Sequence, residues 1–449
     1  MPVNNKFLYE ALIDHKKLDM SSFHTPGHKG NFKKIHSLLE LDYTELPDTD
    51  DLFSASGAIL ESEKKMSDIF ETKRTLFSAG GCSLCIQTMI KLCYDEKRIR
   101  KPKIICTRDA HKSVLNTISL LDIEPIWIYP NSKGFMGEID LNDISSALGD
   151  NEEVCAVYVT SPNYLGMIMN IEKISKMCKK LSVPLIVDNA HGTHLKFLKE
   201  DLHPIRLGAT MSSDSAHKTL PVLTGGALLH INDSKYIEKA KETMALFAST
   251  SPSYPIMASL DLARRWLESD GKKEFERLIY KVNEIKEQSS SIGLISPNGA
   301  VDPVRISFIK LKERINGCKL REHFHKHKIE PEYADVDNLV LIPSPFNSDR
   351  DFDRLKEALS DLSIDKEIKN EKDLIYNVPK AETIMTPHEA LLSENVLIDI
   401  EESIGRIAAQ VIAPCPPGIP IVIPGEKIDI NNYNILKSLG INKLRVIND

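Results

Sequence analysis

Two stretches decide the fold: Leu185-Ile186-Val187-Asp188-Asn189-Ala190-His191-Gly192, and, about thirty residues on, Ser215-Ala216-His217-Lys218-Thr219. The first opens with an apolar run that ends on a carboxylate. This is the pattern of a buried strand delivering a polar side chain at its carboxyl end. Similar short runs surround it: Ile104-Ile105-Cys106, Ile126-Trp127-Ile128-Tyr129, Val154 to Val159 and Ala227-Leu228-Leu229. The segment Ile171 to Leu181 is amphipathic and long enough for a helix. Val154 to Pro184 then spans about 30 residues, one βαβ unit. Apolar runs alternating with helices predict an α/β domain whose mostly parallel sheet is covered on both faces. Such sheets bind ligands at the carboxyl ends of their strands. Asp188 points there, and Lys218, ahead of Gly225-Gly226, is within reach of the same crevice.

A carboxylate and a lysine meeting in one crevice suit pyridoxal 5'-phosphate (PLP). That cofactor needs an amine for its Schiff base and a carboxylate to keep its ring nitrogen protonated. The same two residues also fit a helix-capping Asp and a solvated Lys, and spacing alone does not choose between the two. The cofactor's phosphate needs backbone N–H groups, best supplied by a helix N-terminus. Ser78-Ala79-Gly80-Gly81-Cys82-Ser83 precedes a helical stretch running to about Arg98. Gly81 permits close approach and Ser83 offers a hydroxyl, although a Gly-Gly turn of this kind is common. Cys82 and Cys85 form a C-x-x-C, which read alone suggests a thiol pair or half a zinc site. No second such motif exists, so no metal is expected.

The 449 residues are 42% hydrophobic and 27% charged, ordinary for a globular chain with room for a large core. A net charge of −7 argues against a nucleic-acid binder relying on general positive charge. No run of 18 apolar residues occurs, so no membrane-spanning helix is expected. Asp14, His15, Lys16 and Lys17 fall where a signal peptide needs an apolar core. Eight cysteines, mostly in apolar runs, read as reduced thiols, and a cytoplasmic location is expected. Residues 1–45 read as an arm with a short helix over Phe7 to Lys17, and 46–290 as the large domain. Residues 291–449 read as one or more smaller α+β domains, with a possible further boundary near 370–386. Pro255 to Gln288 repeats apolar residues at helical spacing, with Gly271 a possible break.

Several further stretches, taken with these, resemble the Orn/Lys/Arg decarboxylases, PLP enzymes of the aspartate-aminotransferase-like fold (fold type I). They are Phe23-His24-Thr25-Pro26-Gly27-His28-Lys29-Gly30, Thr44-Glu45-Leu46-Pro47 with Asp50-Asp51-Leu52, and Arg108-Asp109-Ala110-His111-Lys112-Ser113. Ser161-Pro162-Asn163-Tyr164-Leu165-Gly166, Ser249-Thr250-Ser251-Pro252-Ser253-Tyr254 and Pro416-Pro417-Gly418-Ile419-Pro420 complete the set, in the family's order, over about residues 20 to 426. The resemblance implies decarboxylation of lysine, arginine or ornithine to an amine used in polyamine synthesis. It implies Lys218 as the Schiff-base lysine, Asp188 as partner of the ring nitrogen, and His111 and Ala190 on opposite ring faces. His217 would meet the phosphate or the departing carboxylate, with a packing role equally open, and Lys218 or His217 would return the proton to Cα. Ser215 and His191 belong to the same cofactor core. Gly81, Cys82 and Ser83 would hold the phosphate, although Cys82, Cys85 and Ile86 depart from the family's usual Thr/Ser, Gly/Ser and Asn. The resemblance also implies a homodimer with Ser251 reaching the partner's cofactor. The chain begins almost at the arm, as in a short form without the N-terminal wing domain.

Other readings remain open on the residues. An aminotransferase or lyase would share the fold, with Arg305 as a grip for the substrate α-carboxylate. A zinc hydrolase would use His24 with His28 and His191 with His194, but Pro26-Gly27 and Gly192 interrupt any helix, and no His-Glu-x-x-His occurs. The substrate's distal cation needs an acidic partner, and Glu332 is a candidate that fits a solvated loop carboxylate as well.

Overall fold

The sheet that positions the site grows from strands whose residues alternate between two helical layers. In the computed structural model, residues 17–29, 31, 38, 40–46, 48–130, 137–311, 315–362, 380–413 and 419–448 are described. The arm gives β1 (Ser21–Phe23). Then come α1 (Ala58–Phe70), β2 (Arg74–Ser78), α2 (Gly81–Lys97), β3 (Lys103–Thr107), α3 (Lys112–Leu121) and β4 (Glu124–Ile128). Next are α4 (Leu141–Gly149), β5 (Val154–Thr160), α5 (Ile171–Lys180), β6 (Leu185–Asp188), β7 (Met211–Asp214), the single turn α6 (Ala216–Thr219) and β8 (Ala227–Ile231). These strands form a seven-stranded sheet in the order β2-β8-β7-β6-β5-β3-β4. Every pairing is parallel except those of β8, which runs against both β2 and β7.

The two-residue period of a strand sorts the core. Ile104, Cys106, Tyr158 and Ile186 face the layer of α2 and α3. Ile105, Val157, Val159, Leu185 and Val187 face α4 and α5. Helix α5 forms where Asn170 caps it by accepting from Lys173 N, with Glu172 in its first turn and Lys179 and Lys180 in its last, charges that complement the helix dipole. The chain reverses its direction across the sheet between β3 and β5. That is the switch point where open α/β sheets leave a crevice.

Beyond the sheet lie α7 (Ile237–Ala245), α8 (Tyr254–Trp266) and α9 (Lys272–Ser291). Gly271 does not break the long amphipathic stretch. A π turn over Leu267–Gly271 carries α8 into α9, because the wider turn absorbs the spacing while Phe275, Leu278, Val282 and Ile285 stay buried. The next unit holds β9 (Ile306–Phe308), α10 (Gly317–Lys326), β10 (Ile329–Pro331), β11 (Tyr333–Ala334), β12 (Leu339–Leu341) and α11 (Asp349–Ser360). Strand β1 of the arm pairs in parallel with β10, and Phe23 is fully buried against Phe352. The last segment has α12 (Pro387–Leu392), β13 (Asn395–Asp399), α13 (Ile430–Ser438) and β14 (Lys443–Ile447). It has its own apolar cluster around Ile400, Ala408, Val422, Leu436 and Val446. Of the expected arm helix only Lys17 is described. The linker-like run Asp365 to Asp373 and Pro416 to Gly418 lie outside the described residues. Among the described residues no helix is long and apolar enough to cross a membrane.

Candidate active site

Asp188 closes β6 at the carboxyl edge, 3% exposed. Tyr158 on neighbouring β5 donates its hydroxyl to Oδ2 at 2.9 Å, and Ala190 N donates to Oδ1 at 3.0 Å. Burial, with the carboxylate beside it, pushes the Tyr158 hydroxyl well above the usual phenol range, so it remains a donor. Lys218 arrives from the other side on the turn α6, which directly follows β7. Its Nζ lies 2.9 Å from His191 Nε2. Burial lowers its pKa against the opposing pull of Asp188 and Glu332. Arg305, fully buried, brings Nη2 to 3.2 Å from His191 Nδ1, donates to Tyr164 O at 3.4 Å and faces Asp302 at 3.8 Å.

His111 caps α3, its Nδ1 accepting from Ser113 N at 3.2 Å. Burial lowers its pKa, and Asp188 and Lys218 both face it. His217 Nδ1 donates to Gly226 O at 3.0 Å, since a carbonyl only accepts. Burial carries this imidazole down to about 4, so it is neutral near pH 7. Glu332 is half-buried, taking Thr25 N on Oε2 and the Tyr164 hydroxyl on Oε1, both at 2.8 Å. The arm thus reaches the crevice, and Gly27 N donates to His217 O at 2.7 Å.

At the sheet edge, α2 begins at Gly81 with φ +69°, where Gly80 N donates to Ser78 Oγ at 3.2 Å and Gly81 N donates to Gly225 O at 2.8 Å. No side chain caps the turn that follows, in which Cys82 and Ser83 lie. Cys82 is buried beside Asp188 and Ser215. Its thiol is pushed well above the ordinary range by burial, and that of Cys85 to about 12. Two inert thiols do not suit a redox pair. Ser83 is exposed in the first turn, and Ser249, Thr250 and Ser251 are exposed on this chain.

The histidines proposed for zinc diverge. His194 Nε2 is 2.8 Å from Asp302, whereas His191 meets Lys218 and Arg305. Among the described residues the one cluster with metal-like spacing is His203, Asp214 and His230. There Ile205 N donates to His203 Nδ1 at 3.3 Å, which leaves the proton on Nε2, 2.9 Å from Asp214. The trio is a hydrogen-bonded core. Tyr158 and the Arg305–His191 contact were missed in the sequence. Tyr158 sits inside an apolar run, and only the register of β5 on β6 brings it to Asp188.

A buried carboxylate at a strand end, an amine facing it across the crevice and an uncapped glycine-led helix N-terminus fit PLP: each polar end of the cofactor has a matching group. Fold and site together define a PLP-dependent enzyme of fold type I. Within that class the chain belongs to the Orn/Lys/Arg decarboxylase family. The family's major-domain model matches residues 7–346 and its C-terminal-domain model residues 369–443. The arginine decarboxylase of Halalkalibacterium halodurans is 30% identical over 460 residues, covering 96% of this chain and 92% of the relative. That of Bacillus subtilis is 29% identical, covering 96% and 93%. The constitutive lysine decarboxylase of Escherichia coli is 23% identical, covering 96% and 76%. In structure, the Francisella novicida lysine decarboxylase LdcF superposes with a TM-score of 0.75 at 18% identity, covering 99% of this chain and 84% of that one, a likeness of fold.

Proposed function

We propose that the protein decarboxylates a basic amino acid, arginine first among the candidates, to give the corresponding amine, a polyamine precursor. The observation that carries this is the Lys218 amine in the crevice, faced by the carboxylates Asp188 and Glu332. Arginine is favoured by the family membership and by relatives named arginine decarboxylase at 29–30% identity over nearly the whole chain. PLP, when bound, supplies an electron sink conjugated to the substrate Cα.

This chain's residues would do the rest. Lys218 would hold the cofactor. Asp188, fixed by Tyr158 and Ala190 N, would keep the ring nitrogen protonated. His111 and Ala190 would flank the ring plane. Cys82 and Ser83 at the start of α2 would offer backbone N–H groups to the phosphate, Gly81, whose own N–H is held by Gly225 O, would let it approach closely, and Ser215 would pack beside Cys82. His191 would steady Lys218. The Cα–carboxylate bond must stand perpendicular to the ring to break, so orientation is the protein's main contribution. Lys218, or His217 across the turn, would return the proton to Cα. Glu332 would take the substrate's distal cation. Arg305 is engaged by His191, Tyr164 O and Asp302, so it is poorly placed to grip a substrate α-carboxylate as an aminotransferase would require. The exposed Ser251 supports a homodimer in which it reaches the partner's cofactor. Sedimentation giving a fully active monomer would contradict that assembly.

The test is carbon dioxide release from L-arginine, L-lysine and L-ornithine with PLP supplied, run beside transamination with 2-oxoglutarate. Carbon dioxide from at least one substrate is expected. Transamination without carbon dioxide would overturn the decarboxylase reading.

A further inference from the structure

The contacts of His191 carry information about protons. A guanidinium can only donate. Arg305 Nη2 lies 3.2 Å from His191 Nδ1, so that nitrogen must present its lone pair. An imidazolium would set a second N–H against the guanidinium. Burial, together with Lys218, Arg305, His217 and His111 nearby, keeps His191 well below the usual imidazole range. Neutral imidazole carries one N–H, which must therefore sit on Nε2. That nitrogen is 2.9 Å from Lys218 Nζ. An ammonium has three N–H bonds and no lone pair, so it could not accept there. Only the free amine can.

We propose that Arg305 and His191 form a donor relay, guanidinium to Nδ1 and then Nε2–H to Nζ, which holds Lys218 as the free amine with its lone pair fixed in the crevice. The relay is rigid at its far end. Arg305 also donates to His191 O at 3.5 Å and Tyr164 O at 3.4 Å and faces Asp302, itself held by His194 at 2.8 Å. The groups facing Lys218 are Asp188, Glu332, Cys82 and Arg305. The two carboxylates favour the ammonium, while burial, Arg305 and the His191 N–H favour the amine. A lysine kept this way is nucleophilic at neutral pH without a separate base. Arg305 and His191 are positioning residues here, and the inference rests on Lys218 being the cofactor-bearing lysine of the proposed function.

The test uses the full-length chain freed of cofactor. With [15N]histidine labelling, long-range proton–nitrogen correlation reads each tautomer, and the signals lost in His191→Gln assign this residue. The Nε2–H tautomer is expected throughout about pH 6 to 9, a range across which an ordinary histidine loses its second proton. An Nδ1–H tautomer, or an imidazolium titrating in that range, would overturn the relay. Competitive acetylation gives a second reading, with exposed Lys64 as reference. The Lys218 midpoint should lie below that of Lys64. His191→Phe should raise it by about one pH unit, a tenfold drop in reactivity at a fixed pH below both midpoints, while His191→Gln, which keeps an N–H donor, stays near wild type. An unchanged midpoint in His191→Phe would also overturn the relay. Failure to release carbon dioxide would remove the decarboxylase reading while leaving the tautomer result standing, so the two failures are distinguishable.

Discussion

At the scale of single residues, the site is a set of polar groups whose behaviour is set by burial. Lys218→Ala should leave the fold intact, because a side chain ending in a crevice contributes little packing, and should abolish borohydride-trapped cofactor at this position. Retention of the label on the same peptide would refute the assignment. Asp188→Asn removes the charge but keeps the size. Turnover should fall by on the order of 10²-fold or more, the scale of losing a preorganised electrostatic partner, while equilibrium dialysis still detects bound cofactor. Glu332→Gln should act differently. It removes the proposed partner of the distal cation, so KM should rise by roughly 10- to 100-fold, corresponding to about 1.5–3 kcal/mol for a charged hydrogen bond, with kcat less affected. An equal KM for arginine, lysine and ornithine in wild type and variant would exclude that role.

At the scale of elements, the arm acts as a strap across the turn that bears Lys218. A Cβ at Gly27 would lie 2.7 Å from Leu220 O and 2.8 Å from Thr219 C, both backbone atoms that cannot swing aside. Gly27→Ala should therefore displace the arm. Since small misplacements at a reacting centre are amplified, turnover should fall by on the order of 10²-fold with a modest change in global stability. Wild-type turnover in Gly27→Ala would show that arm docking is irrelevant to the chemistry. Lys29 pins the same strap, donating to Ile342 O at 2.9 Å and to His24 O. Burial lowers its pKa from 10.5 to about 7. Between those values the unfolded chain binds a proton that the folded chain lacks, so this group makes stability rise with pH across the window. Urea midpoints at pH 7 and pH 10 should show the rise, and Lys29→Met should flatten it; equal slopes would argue against a buried, neutral Lys29.

At the scale of the whole molecule, a buried side chain is among the ties between the C-terminal segment and the crevice. Arg108, directly after β3 and ahead of His111, donates to Pro420 O at 2.7 Å and meets Glu426 at 3.4 Å, with both side chains at most 1% exposed. Its guanidinium also lies 5.3 Å from the Trp127 ring centroid. Burial raises the Glu426 pKa, while Arg108 opposes the shift. Arg108→Met strands that carboxyl group and should cost about 3–5 kcal/mol. Denaturant titration should register the loss. The double variant Arg108→Met/Glu426→Met should recover part of the loss, and no recovery would mean that the pair is not the tie.

The sequence by itself determined the class of fold and the chemistry available to the site. Buried strands announce themselves as short apolar runs because both faces are covered, and β3, β5 and β6 were legible for that reason. Asp188 and Lys218 were legible as a carboxylate ending such a run and a lysine on the next polar turn. Only the tertiary structure decided which partners these groups meet. Tyr158 lies on Asp188 through the register of two strands, and Glu332 meets Thr25 across 307 residues. His191 joins Arg305 across 114 residues. The continuation of α8 into α9 past Gly271 was likewise decided by burial along the far side of the helix. Local sequence carries periodicity and residue type. It does not carry register, the docking of an arm, or the order in which burial and neighbouring charges fix a proton, because these arise only when distant segments pack.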